Sequence, residues 1–234
     1  MSNLETSFLF KQNVSYQKAN TVQMEKQFVS KCNQIDNIIW EKHMYFIDIE
    51  TYDSNLKVNW INQVRDPIER FISRYYYYRR VPKRFVNVKN LPPNQLLNQD
   101  LNECLTLNEP NCTLDPEYLT EMQLTYFCGS APECRTLGNK NALQKAKYNA
   151  EKYYSVIGVL EELQLSMKLM ELYLPKYFQN FANLTETSHK SKEPHKNQLD
   201  PDNLRKLENW LNIDIEFYTF VVQRLHNQAK INKL

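Results

Sequence analysis

The feature that most restricts the fold is a change of hydrophobic period at one point in the chain. Residues 58–64 (V-N-W-I-N-Q-V) are β-branched and aromatic and read as a strand. They run without a linker into Arg65, Asp66 and Pro67. Beyond that point Ile68, Phe71, Ile72 and Tyr75 recur at i, i+3, i+4 and i+7, one apolar face of a helix. Asp66 suits the N-cap and Pro67 the first helical position, and Glu69 completes a D-x-x-E that resembles a capping box. A strand feeding directly into a helix is a building unit of layered α/β folds.

The flanking segments fit the same class. Residues 44–49 (M-Y-F-I-D-I), opened by His43, read as a strand, and 155–159 (S-V-I-G-V) as a third, buried one. Helices are expected over 22–32, 142–153 and 161–174, and a closing helical region opens at Asp200-Pro201 and carries Leu204, Leu207, Leu211 and Ile215. The long Asn/Pro/Leu-rich stretch ahead of the cysteines and the polar stretch 185–197 read as loops. We therefore expect an α/β domain with a mainly parallel sheet over 38–234, and a polar, partly helical segment over 1–37 belonging to the same domain.

Composition excludes several functions. Twenty-nine basic against 27 acidic residues leave a net charge of +2. That is no global footprint for nucleic acid, so a polyanion must be held by a local patch. The dense basic cluster is Arg74, Arg79, Arg80, Lys83 and Arg84. With only three glycines there is neither GxGxxG nor GxxxxGK, so binding of the Rossmann or P-loop nucleotide type has no support. No apolar run is long enough to span a bilayer. Cys104 lies close to Cys112, and Cys128 close to Cys134, while Cys32 stands apart. Neither spacing is C-x-x-C and no His pair accompanies them, so zinc fits poorly and no metal is expected. Two short disulfide loops fit better and require an oxidising compartment. Sequons at Asn13, Asn111 and Asn183 agree with a secretory-pathway protein.

Three blocks in order carry a resemblance. They are W-I-N-Q-V-R-D-P-I-E-R-F-I-S over 60–73 followed by four tyrosines, Y-F-C-G-S-A-P-E-C over 126–134, and A-K-Y-N-A over 146–150 leading to V-I-G-V-L-E-E-L over 156–163. Together they resemble the heparan sulfate and uronyl 2-O-sulfotransferases, with insect homologues of the pipe type as look-alikes, over about 38–181. The resemblance implies a sulfotransferase-type, P-loop NTPase-like layered fold. It implies transfer of a sulfuryl group from 3′-phosphoadenosine 5′-phosphosulfate to the 2-hydroxyl of a hexuronic acid in a sulfated glycosaminoglycan. Arg65 and Ser73 match the family's ligands for the nucleotide 3′-phosphate, which suits a forked guanidinium and a hydroxyl at a helix start. His43 matches the catalytic base, whose neutral imidazole takes the proton of the attacking hydroxyl. Arg79, with Arg80, matches basic residues that contact the glycan, and the loop of Lys190 and Lys192 resembles a basic loop over the cofactor. The Tyr75 to Tyr78 run reads as helix packing rather than a sugar platform. The implied setting is the Golgi lumen, as a type II membrane glycoprotein, with homotrimer formation as in the family.

The chain also departs from the family. The place two residues before His43, often a second histidine, holds Glu41. The family's 5′-phosphosulfate loop, P-K-x-x-S-T-S on a strand-to-helix turn, does not occur in the 234 residues. On this reading the first strand and that loop are missing, and the C-terminal region through which members trimerise is short. Removing such anion donors costs roughly 10²–10³ in rate for each. The alternative expectation is an inactive truncated or non-catalytic relative that binds nucleotide or sulfated glycan.

Overall fold

The change of period at Arg65 becomes a strand that stops and a helix that starts. The structure is a computed structural model and describes residues 22–34, 39, 44–80, 99–108, 122–184 and 199–234. In chain order the elements are α1 (Val22–Cys32), β1 (Trp60–Val64), α2 (Pro67–Arg80), α3 (Leu101–Thr106), α4 (Gln123–Cys128), α5 (Lys140–Tyr153), β2 (Tyr154–Val159), α6 (Leu163–Tyr173), α7 (Pro175–Phe178), α8 (Phe181–Leu184), α9 (Pro201–Trp210) and α10 (Asn212–Ile231).

β1 and β2 pair in parallel from Trp60↔Tyr154 to Val64↔Val159, with an irregularity between Trp60 and Ile61. A parallel pair needs a crossover connection, which here contains α2 to α5. β2 is buried except at Ser155, as expected of a strand covered on both faces. Ala142, Leu143, Ala146 and Ala150 of α5, Met167, Leu169 and Met170 of α6, and Phe217, Val221 and Leu225 of α10 form its core surroundings. Each large side chain buried here stabilises the fold by about 1.5–3 kcal/mol. Gly158 is the close-approach point: a Cβ there would lie 3.1 Å from Met170 Cε and 3.2 Å from Ser166 Cβ. Ser166 turns its buried hydroxyl back to the strand, accepting the Val159 N–H at 2.8 Å.

The α/β class and the parallel pairing hold, but the sheet among the described residues has two strands. The strand expected over 44–49 is extended backbone with one main-chain bond, from Phe46 N–H to the Tyr126 carbonyl at 2.9 Å, and then a 3-10 turn at Ile49–Thr51. Its neighbour is α4 rather than another strand, so no ladder forms. Its apolar residues are used nonetheless. Phe46 packs against Trp60, Tyr153 and Tyr154 with ring centroids 5.4, 5.0 and 6.1 Å away, and Ile47 and Ile49 meet Val29 of α1.

α2 lays Phe71, Ile72, Tyr75 and Tyr76 against Leu101, Cys104 and Leu105 of α3 and Leu207 and Leu211. Tyr75 donates to the Gln99 carbonyl at 3.2 Å, and Tyr76 accepts the Leu101 N–H at 3.3 Å. These two tyrosines are packing residues, as expected. The closing helical region is two helices, divided at Leu211. α4 has no local side-chain cap; buried residues from other elements hold both its ends. Asp214 of α10 accepts the N–H groups of Gln123 at 3.3 Å and Leu124 at 2.8 Å. Asn149 of α5 donates to the Phe127 carbonyl at 2.8 Å.

Candidate functional site

Arg65 lies one residue past the last ladder pair, where β1 hands over to α2. The turn is set by Asp66, whose side chain accepts the Glu69 N–H at 2.8 Å and whose carbonyl accepts the Arg70 N–H at 2.8 Å. That is the expected N-cap. The return half of the capping box is replaced. The Asp66 N–H donates to Glu161 Oε1 at 3.0 Å, and the Glu69 carboxylate lies 3.5 Å from Arg65 Nη2. The Arg65 side chain is 30% exposed and Glu69 41%, so a solvated anion can reach the guanidinium in competition with Glu69.

The main chain of Arg65 is held from a distance. Its N–H donates to Gln123 Oε1 at 2.7 Å and its carbonyl accepts from Gln123 Nε2 at 2.7 Å. Gln123 is fixed in turn by Asp214, which is 2% exposed. Burial pushes the Asp214 carboxyl up, opposed by the Leu124 N–H, the Arg70 charge and Gln123. Tyr218 donates to Glu161 Oε2 at 3.0 Å; burial and the Glu161 carboxylate push its phenol up. Glu162 pairs with His226 at 2.7 Å.

Ser73 is half-buried on α2, six residues beyond Pro67 and so about 9 Å along the helix axis. Arg79 and Arg80 are the last residues of the same helix, their side chains lying outside what is described. His43, Cys112, Asn13, Asn111, Lys190 and Lys192 also lie outside the described residues. Cys128 and Cys134 form a disulfide, with Cα atoms 5.5 Å apart, while Cys104 is buried and disulfide-bonded. Cys32 is a free thiol. Asn183 is exposed on α8. Among the described residues no helix is long and apolar enough to cross a membrane.

Gln123, Glu161 and Asp214 were not singled out from sequence as parts of this site. Gln123 precedes the second block by three residues and Glu161 lies inside the third, but their partners are 58 and 95 residues away. A cleft of about 290 Å³ lies elsewhere, at the N-terminal ends of the strands, lined by Trp60, Lys152 and Tyr153 among others. Lys152 there is occupied by Glu50 at 3.1 Å and by the Tyr153 hydroxyl at 2.8 Å. At Arg65 a guanidinium and a helix N-terminus meet, a pairing that suits an anion.

The chain is 30% identical over 207 residues to a heparan sulfate 2-O-sulfotransferase 1 of Xenopus laevis, an alignment covering 84% of this chain and 55% of that protein. It is 29% identical over 210 residues to the uronyl 2-sulfotransferase homolog pip of Drosophila melanogaster, covering 81% and 40% respectively. It is 27% identical over 199 residues to the human uronyl 2-sulfotransferase, covering 80% and 48%. The chain spans about half the length of the curated relatives it matches. The profile of the sulfotransferase family matches residues 4–221, and with most of its length accounted for in this way the chain belongs to the sulfotransferase family.

Proposed function

We propose that this chain serves transfer of a sulfuryl group from 3′-phosphoadenosine 5′-phosphosulfate to the 2-hydroxyl of a hexuronic acid in a glycosaminoglycan. The relatives named above carry the corresponding activity in their names. The observation that supports the reading best is Arg65: a half-exposed guanidinium at the foot of a capped helix, on a strand end pinned by side-chain hydrogen bonds.

In this reading Arg65 and Ser73 hold the 3′-phosphate of the nucleotide, by forked charge-assisted bonds and a hydroxyl. The donor supplies an activated sulfuryl group. His43 accepts the proton of the 2-hydroxyl as its oxygen bonds to sulfur and the bisphosphate nucleotide leaves. Arg79 and Arg80, at the end of α2, contact the sulfated glycan. The P-loop NTPase-like layering, the Golgi-luminal setting, glycosylation at Asn13, Asn111 and Asn183, a Cys104–Cys112 bridge and a homotrimer belong to the same proposal.

The test is calorimetric titration of the chain and its Arg65→Ala variant with 3′-phosphoadenosine 5′-phosphate. Micromolar binding that is lost in the variant supports the reading; unchanged binding in the variant overturns it. A second reading, nucleotide or glycan binding without transfer, is favoured by the lack of a P-K-x-x-S-T-S motif among these 234 residues. Binding without transfer of labelled sulfate to desulfated heparan, in the chain and in its Glu69→Gln variant, would select it.

A further inference from the structure

We propose that Gln123 is a positioning residue for Arg65, setting the direction of its guanidinium from the opposite side of the junction. This rests on the reading of Arg65 as a nucleotide ligand. Arg65 lies past the last strand pair and before the first helical bond, so neither the sheet nor the helix supplies its main chain with regular partners. Gln123 supplies both, at 2.7 Å each. A carboxamide side chain offers a donor and an acceptor side by side, matching the N–H and C=O of one residue.

The clamp is itself rigid. Gln123 is 6% exposed and opens α4, and its own N–H is held by the buried Asp214. Glu161 takes the next N–H, that of Asp66. The backbone angles around Arg65 are therefore dictated by residues 58 and 95 positions further along the chain. A long arginine amplifies any rotation at its Cα, so a guanidinium that must meet a phosphate with two parallel bonds needs such a support.

A purely structural Gln123 would satisfy the same two groups without bearing on binding, and a double-mutant cycle on nucleotide affinity separates the two roles. Affinity for 3′-phosphoadenosine 5′-phosphate is measured for wild type, Arg65→Ala, Gln123→Met and the double variant, at a temperature where each melts well above the assay. Arg65→Ala should weaken binding about 10- to 100-fold. Gln123→Met, which keeps shape but removes both bonds, should weaken it about 3- to 30-fold. The double variant should bind no more weakly than Arg65→Ala alone.

An equal factor for Gln123→Met in both backgrounds, or no effect in either, overturns the positioning role while leaving Arg65 as a ligand. No effect of Arg65→Ala removes the functional reading and this inference with it. Where Gln123→Met does not fold, Gln123→Glu takes its place, since it keeps the acceptor for the Arg65 N–H and loses the donor. It should weaken binding about 3- to 10-fold, again only when Arg65 is present.

Discussion

Asp214 caps a helix that lies 90 residues before it, its Oδ1 accepting the Leu124 N–H at 2.8 Å. The Gln123 N–H shares the same carboxylate at 3.3 Å. Asp214→Ala leaves two buried N–H groups without a partner and should destabilise the fold by about 2–4 kcal/mol in urea titrations. Burial raises the folded-state value of this acid above its ordinary 3.8, so the folded chain holds the proton more tightly than the unfolded one. The stability from this group is therefore fully present below 3.8 and declines as pH rises through the raised value. Relative to Asp214→Asn, which does not titrate, wild type should gain stability as pH falls across that window. A flat difference between the two would show that Asp214 titrates alike in both states.

The approach of α6 to β2 leaves no room at Gly158. Gly158→Ala should cost about 1–3 kcal/mol, because Ser166 Cβ and Met170 Cε stand within 3.2 Å of the added methyl. Met170→Ala in the same chain should recover little, since Ser166 is held by its hydrogen bond to Val159. Chemical denaturation of the single and double variants checks both statements.

The Cys128–Cys134 disulfide closes a loop with a sequence separation of 6. In the chain-entropy account a loop this short stabilises by roughly 2 kcal/mol. Replacing both cysteines by serine should lower the melting temperature by several degrees, and reductant, which also opens the bridge at Cys104, should lower that of wild type by at least as much. Peptide mapping without reduction should recover these two cysteines linked and Cys32 available to alkylation.

Arg65 and Glu69 form a partly exposed pair at 3.5 Å. Such pairs contribute about 0–1 kcal/mol, so Arg65→Ala should leave the melting temperature nearly unchanged while nucleotide affinity falls. Glu69→Gln removes the competing carboxylate and should strengthen binding about 2- to 5-fold, an effect that shrinks as salt is raised. Tighter binding at low salt that disappears in the Arg65→Ala background would locate the competition at this guanidinium.

Much of this molecule is written locally. Asp66, Pro67 and the spacing from Ile68 to Tyr75 set α2 through a cap and a periodicity that need no distant partner. Likewise the run from Ser155 to Val159 reads as a strand because nearly every residue is apolar. α3 and α4 were not anticipated, since six residues carry less than two turns of pattern. α4 also takes its end contacts from Asp214 and Asn149. The 44–49 segment has the residues of a strand but stands beside a helix, and composition does not encode a neighbour. The same limit applies at the site. Arg65 is legible through its motif, whereas the hold of Gln123 and Glu161 on its backbone exists only once the chain has folded back.

The long reach from Asp214 to Leu124 also bears on the order of events during synthesis. At about 5–20 residues per second, the ribosome adds residue 214 on the order of 5–20 s after residue 124. Through that interval β1 and α2 have already been made, while α4 lacks its N-terminal partner. The strand end bearing Arg65 thus acquires the anchor of its Gln123 clamp only once residue 214 has been made. A chain interrupted before α10 would carry every residue of the R-D-P-x-x-R motif and its Gln123 clamp, but the clamp would lack its Asp214 anchor.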